Sequence, residues 1–164
     1  MDEQAAITEF LRGIGIRVES PQLSPEDCFL PGIQVERGGL LVDEAQLEWP
    51  GDLLHEAGHI AVAPPGFRDQ MTGGVDVPGL DMHALEFAAV PWSYAAALAI
   101  GIDPAIVFHE GGYHGHSPGL LRTFALGVPP GLRYLQEAGM AVSAQQAKEL
   151  GVDPYPHMLR WLRE

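Results

Sequence analysis

The chain has 164 residues, enough for one domain with a real core and too few for two. Its 46% hydrophobic and 19% charged content excludes a disordered chain. A formal charge of −13 excludes nucleic acid or an anionic membrane surface as the main partner, because both require basic patches. The single cysteine, Cys28, cannot form an internal disulfide and reads as a buried apolar residue.

The first residues, Met1 to Phe10, are acidic and lack the basic start and apolar run of a signal peptide. No window reaches the roughly 18 apolar residues that a membrane span requires. The stretch from Ala84 to Ile102 comes nearest and is broken by Glu86, Pro91 and Ser93. These features point to a single cytoplasmic domain over 1–164.

Residues 2–12 have the spacing of a short amphipathic helix, with Ile7, Phe10 and Leu11 inward and Gly13 at its end. A short strand is expected over Gly15 to Glu19, and a loop over Ser20 to Asp27. Cys28 to Glu36 and Leu40 to Asp43 flank Arg37-Gly38-Gly39 and predict a hairpin. Its second strand precedes the next helix, where it would serve either as a cleft wall to which an extended peptide adds its backbone, or as an ordinary structural hairpin.

Asp52 to Val62 predicts an apolar helix, with Asp52 as its cap or first-turn acid and Pro64-Pro65-Gly66 as its stop. Within it stands His55-Glu56-Ala57-Gly58-His59. Residues four apart share a helix face, so the two imidazoles project together toward one tetrahedral ion. Glu56 projects to the side, within reach of a water activated there. The competing reading is a helix with two hydrogen-bonded core histidines and a surface glutamate, but unpaired polar groups in an apolar helix are costly.

Phe67 to Gly79 reads as a long mobile loop near the site. Leu80 to Gly101 predicts an alanine-rich helix kinked or divided at Pro91. Short helices follow after Asp103-Pro104, over Gly119 to Ala125 behind a Ser117-Pro118 start, over Leu132 to Glu137, and over Ala144 to Leu150 capped by Ser143. Gly139 to Val142 would be an edge strand. Asp153-Pro154 would lead a last helix to Arg163, docked by Leu159, Trp161 and Leu162. Trp49, Trp92, Tyr94 and Trp161 read as core or cleft wall, and His157 as surface.

A catalytic zinc needs a third protein ligand. Glu86 stands among Leu85, Phe87, Ala88, Ala89 and Val90, where a carboxylate requires a partner. Asp81, at the start of the same helix, is the other candidate, although an N-terminal acid role would explain it equally. His83, one turn before Glu86, would be a partner to the ligand.

His55-Glu56-x-x-His59 followed by a glutamate on the next helix resembles the gluzincin class of zincin-like metallopeptidases. The alanine-rich segment from Glu86 to Leu98 is similar to the minimal zincin-like domains of the ImmA/IrrE kind. The resemblance covers about residues 40–99. It implies a small α+β domain, mostly helical with a short hairpin or sheet beside the motif helix. It also implies Zn2+ on His55, His59 and Glu86, with Glu56 as general base. That family commonly writes its second helix as E-x-x-A-x-x-F-A, and Asp81 takes the ligand place when Asp81-Met82-His83-Ala84 is set in that frame.

The loop His109-Glu110-Gly111-Gly112-Tyr113-His114-Gly115-His116 is the other constellation. Tyr113 or His114 would steady an oxyanion opposite the metal, or the loop would bind a metal itself, or its histidines would be exposed and idle. The expected function is a zinc-dependent metallohydrolase acting on a peptide or protein. The rival expectations are a zincin-fold regulatory or ligand-binding domain, and a structural zinc closed by a histidine of this loop.

Overall fold

The computed structural model describes residues 1–164 as a mixed α+β fold, mostly helical, with one three-stranded sheet. Helix α1, Glu3–Gly13, is capped by Asp2, whose side chain accepts from the Ala5 N–H at 3.1 Å. Its inward residues Ile7 and Leu11 are fully buried. Strands β1 (Val18–Glu19), β2 (Ile33–Glu36) and β3 (Gly39–Val42) form the sheet in the order β1-β3-β2. The expected hairpin is β2–β3, antiparallel with Gln34 opposite Leu41, turning through Arg37-Gly38 with both φ values positive. The strand expected from Cys28 begins only at Ile33. Cys28 is half-buried rather than buried, with its thiol 3.6 Å from the Ser24 carbonyl oxygen.

One expected use of the hairpin fails. β3 is the central strand, with β1 parallel on one side and β2 antiparallel on the other, so it offers no edge to a peptide. The outward backbone of β2 is also occupied. Ile33 exchanges hydrogen bonds with Leu30, the Val35 N–H donates to Gln34 Oε1, and the Val35 carbonyl accepts from Gly73. The hairpin is structural. Residues 71–73 lie along it, since Gly38 donates to the Met71 carbonyl and Arg37 N to Thr72 Oγ1. The segment after α3 (Pro65–Arg68), expected beside the site, therefore packs on the sheet instead, with Met71, Val75 and Val77 buried.

The central pair is α2 (Gly51–Val62) against α4 (Met82–Ile100). Gly58 sets their approach. A Cβ there would stand 3.2 Å from both the Ala89 carbonyl oxygen and the Trp92 ring, so only glycine lets the helices cross this closely without repacking. Pro91 neither ends nor divides α4, which runs unbroken to Ile100 and is capped by left-handed Gly101. The missing N–H of Pro91 frees the Phe87 carbonyl, and Gly131 lies against that oxygen with no room for a Cβ. Asp81 caps α4, accepting from Ala84 N at 3.1 Å.

Further on, α5 (Ser117–Ala125), α6 (Leu132–Glu137) and α7 (Ala144–Leu150) match the expected helices, and Ser143 and Gln146 form a capping box on α7. Residues 103–108 hold only one 3-10 turn, Pro104–Ile106. Neither the edge strand at 139–142 nor the last helix forms. Pro154 and Pro156, two residues apart, disfavour a helix there. The tail makes long-range bonds instead: Leu159 donates to the Met140 carbonyl, Trp92 Nε1 to the Trp161 carbonyl, and Arg163 N to the Ala61 carbonyl. Arg68 also donates to the Ile60 and Ala61 carbonyls. The C-terminal carbonyls of α2 are thereby satisfied by groups outside the helix, from nearby Arg68 and from the distant tail. No helix is long and apolar enough to cross a membrane.

Candidate metal centre

α2 enters from Pro50, and its Leu53, Leu54, Ala57, Ile60 and Ala61 face the core with almost no exposure. Burying that stripe fixes the rotation of the helix, and so fixes where Asp52, His55, Glu56 and His59 point. His55 Nε2 and His59 Nε2 stand 3.1 Å apart, with their rings edge to face. The Glu86 carboxylate spans both, with Oε1 3.5 Å from His55 Nε2 and Oε2 3.0 Å from His59 Nε2. The ligand atoms of His55, Glu56 and His59 also lie within 4.8 Å of one another.

Glu86 reaches this place for a different reason from the one its neighbours suggest. Its side chain is 48% exposed, so burial in an apolar helix does not force its pairing. It lies on the cleft side of α4, while Leu85, Ala88 and Ala89 carry the packing against the core. Asp81, its rival, is occupied as the helix cap. His83 is exposed, rests 4.6 Å from the Phe87 ring and makes no bond to Glu86.

The charges are tightly coupled. The hydrogen bonds from His55 and His59 hold the Glu86 carboxyl far below the usual range, against an opposing contribution from burial. Burial pulls the His55 imidazole down, but the bond to Glu86 and the charges of Glu56, Glu86 and Asp52 outweigh it and leave the pKa raised. Glu56 is pushed up by burial, partly offset by the two histidines. Its Oε2 is buried without a hydrogen-bond partner, as is His59 Nδ1.

The site opens on a cleft of about 860 Å³, lined from the far side by the His109–His116 loop. That loop is built rather than slack. The Ser117 hydroxyl, expected as a cap, is buried and donates to the His109 carbonyl at 2.8 Å. Tyr113 and His114 hold left-handed φ values of 55° and 52°, a strained conformation for non-glycine residues. The strain places the Tyr113 hydroxyl 2.8 Å from His55 Nδ1, in a shared hydrogen bond. Burial, then the charges of Glu86, Asp52 and Glu56, raise the Tyr113 pKa far above normal, so the phenol keeps its proton. Tyr113 thus lines the cleft with its hydroxyl engaged by His55. His114 and His116 are exposed at the cleft lining.

One pair lies outside the sequence expectation. His109 is buried, stacks on Trp49 with ring centroids 4.3 Å apart, and sets Nε2 2.8 Å from Asp52 Oδ1. Asp52 precedes His55, Glu56 and His59 by three, four and seven residues. The same face that aligns the motif therefore turns it toward the cleft, and that spacing was the available signal.

The donor set fits a divalent ion. Two imidazole nitrogens and a carboxylate converge on one point, a second carboxylate is close by, and the other nitrogen of His55 is held by a phenol. Compared with known proteins, the chain matches no family model, no curated protein and no solved structure. The likeness to the zincins therefore rests on the His55-Glu56-His59 cluster alone.

Proposed function

We propose that the protein is a zinc-dependent metallohydrolase that cleaves an amide bond, of the peptidase class, with His55, His59 and Glu86 as the metal ligands and Glu56 as general base. The carrying observation is the division among four groups. Glu86 bonds both histidine Nε2 atoms, while Glu56 keeps a buried, unpartnered oxygen beside them in a residue that lines the cleft.

A proton on His55 Nδ1, donated to the Tyr113 oxygen, leaves the Nε2 lone pair free for the ion. When bound, a divalent ion supplies Lewis acidity, acidifying a water and polarising a carbonyl. Glu56 removes one proton from the attacking water as the new C–O bond forms at the carbonyl carbon. It returns that proton to the leaving nitrogen as the C–N bond breaks. His109 is engaged by Asp52 and Trp49, which speaks against its use as a fourth ligand closing a structural site.

The test is zinc content and cleavage of an internally quenched peptide library by wild type, Glu86→Ala and Asp81→Ala. Glu86→Ala is expected to lose zinc and cleavage together. Asp81→Ala is expected to keep both while losing about 1 kcal/mol of stability with its cap. The opposite pattern assigns the third ligand to Asp81.

A further inference from the structure

Four carboxylates line the cleft, those of Glu48, Asp52, Glu56 and Glu86, and no lysine or arginine does. A divalent ion at the histidines is balanced by Glu86 and Glu56. That leaves Asp52, which is shared with His109, and Glu48, which is exposed and forms no ion pair. Trp49 adjoins Glu48 on the cleft wall, and its stacking on His109 holds the indole in place. Two cleft-lining groups are more than nine-tenths buried and have unpartnered polar atoms, Glu56 Oε2 and His109 Nδ1, so the cleft is built to receive something polar.

The backbone limits how a ligand is held. An extended peptide is usually gripped by adding a strand to an open sheet edge. β3 has neighbours on both sides, and the outward groups of β2 are bonded to Leu30, Gln34 and Gly73. On the far side of β1, the Val18 carbonyl accepts twice from the Arg12 guanidinium. Recognition therefore falls to side chains within the cleft.

Resting on the metallohydrolase reading, we propose that the substrate is compact and cationic: an amide whose ammonium or guanidinium group is held by Glu48 against Trp49, bound without strand addition. Glu48 brings the opposite charge and Trp49 an aromatic surface to the same cleft, and the two together favour such a cation.

The test is calorimetric binding to the full chain carrying Glu56→Gln, with zinc and after chelation. The probes are acetyl-Ala-Lys-Ala-amide, its norleucine and glutamate counterparts, a longer lysine peptide extended by further alanines on both sides, and N-acetylcadaverine. The lysine probe is expected to bind at least about tenfold tighter than the norleucine one, and the glutamate probe weakest. Glu48→Gln is expected to remove that preference and Glu48→Lys to turn it toward the glutamate probe. The longer peptide is expected to gain less than about tenfold, because no sheet edge receives its flanks. Binding of N-acetylcadaverine equal to that of the lysine tripeptide supports a small amine-bearing amide as the source of the cation, and weaker binding supports a basic residue of a peptide. A smaller lysine preference, its survival in Glu48→Gln, or a tenfold gain with length overturns the proposal. Hydrolysis of the same probes by wild type separates the two readings. Lysine preference without cleavage overturns the hydrolase and leaves the cation site, while equal cleavage of the lysine and norleucine probes does the reverse.

Discussion

Glu56→Gln is expected to lower turnover by about 10²–10⁴-fold while leaving bound zinc unchanged. The amide keeps the size of the carboxylate and its place at the cleft, but it cannot take a proton. Glu56 is 4% exposed and its Oε2 has no partner within the protein, so no structural bond is broken by the change. The loss should therefore fall on kcat rather than on the melting temperature. An unchanged rate in the zinc-loaded variant would remove Glu56 from the chemistry. A lost metal would instead make it a ligand, as its closeness to both histidines allows.

Trp92→Ala is expected to destabilise the fold by about 3–5 kcal/mol, the range for deleting a fully buried large aromatic side chain. Trp92 is wholly buried on α4 and adjoins Gly58 of α2. Its indole N–H donates 3.0 Å to the Trp161 carbonyl, and its ring meets Trp161 edge to face at 5.7 Å. One residue therefore joins both site helices to the C-terminal tail. Chemical denaturation reads the loss directly. Trp92→Phe keeps most of the packing and loses the bond to the tail, so it should fall well short of the alanine variant. Equal stability of Trp92→Ala and wild type would mean that this junction does not hold the two helices together.

The local features of this chain were legible in its sequence because their causes are local. Asp81 and Ser143 stand at the starts of the helices they cap, the turn at Arg37-Gly38 sets the hairpin, and the four-residue spacing of His55 and His59 puts both rings on one face. What escaped depends on partners distant along the chain. His109 lies 57 residues from Asp52, and Arg163 lies 102 residues from the Ala61 carbonyl it satisfies, as 163 − 61 gives. No periodicity encodes such contacts. The parallel addition of β1, which turns β3 from an edge into a centre, comes from the same kind of long-range pairing. The tail shows the converse error. Asp153-Pro154 has the form of a helix start, but Pro156 two residues on disfavours the helical turn that would follow. The apolar neighbours of Glu86 imply burial, yet its side chain is half exposed, and the close crossing of the two helices at Gly58 brings it to the histidines.

The most direct measurement is anomalous scattering at the zinc edge from crystals of the zinc-loaded protein. One peak per chain is expected, about 2.0–2.2 Å from His55 Nε2, His59 Nε2 and a Glu86 oxygen, with a fourth position open to the cleft beside Glu56. No peak there, or a peak whose fourth position is filled by Glu56, His114 or His116, would contradict the proposed catalytic centre.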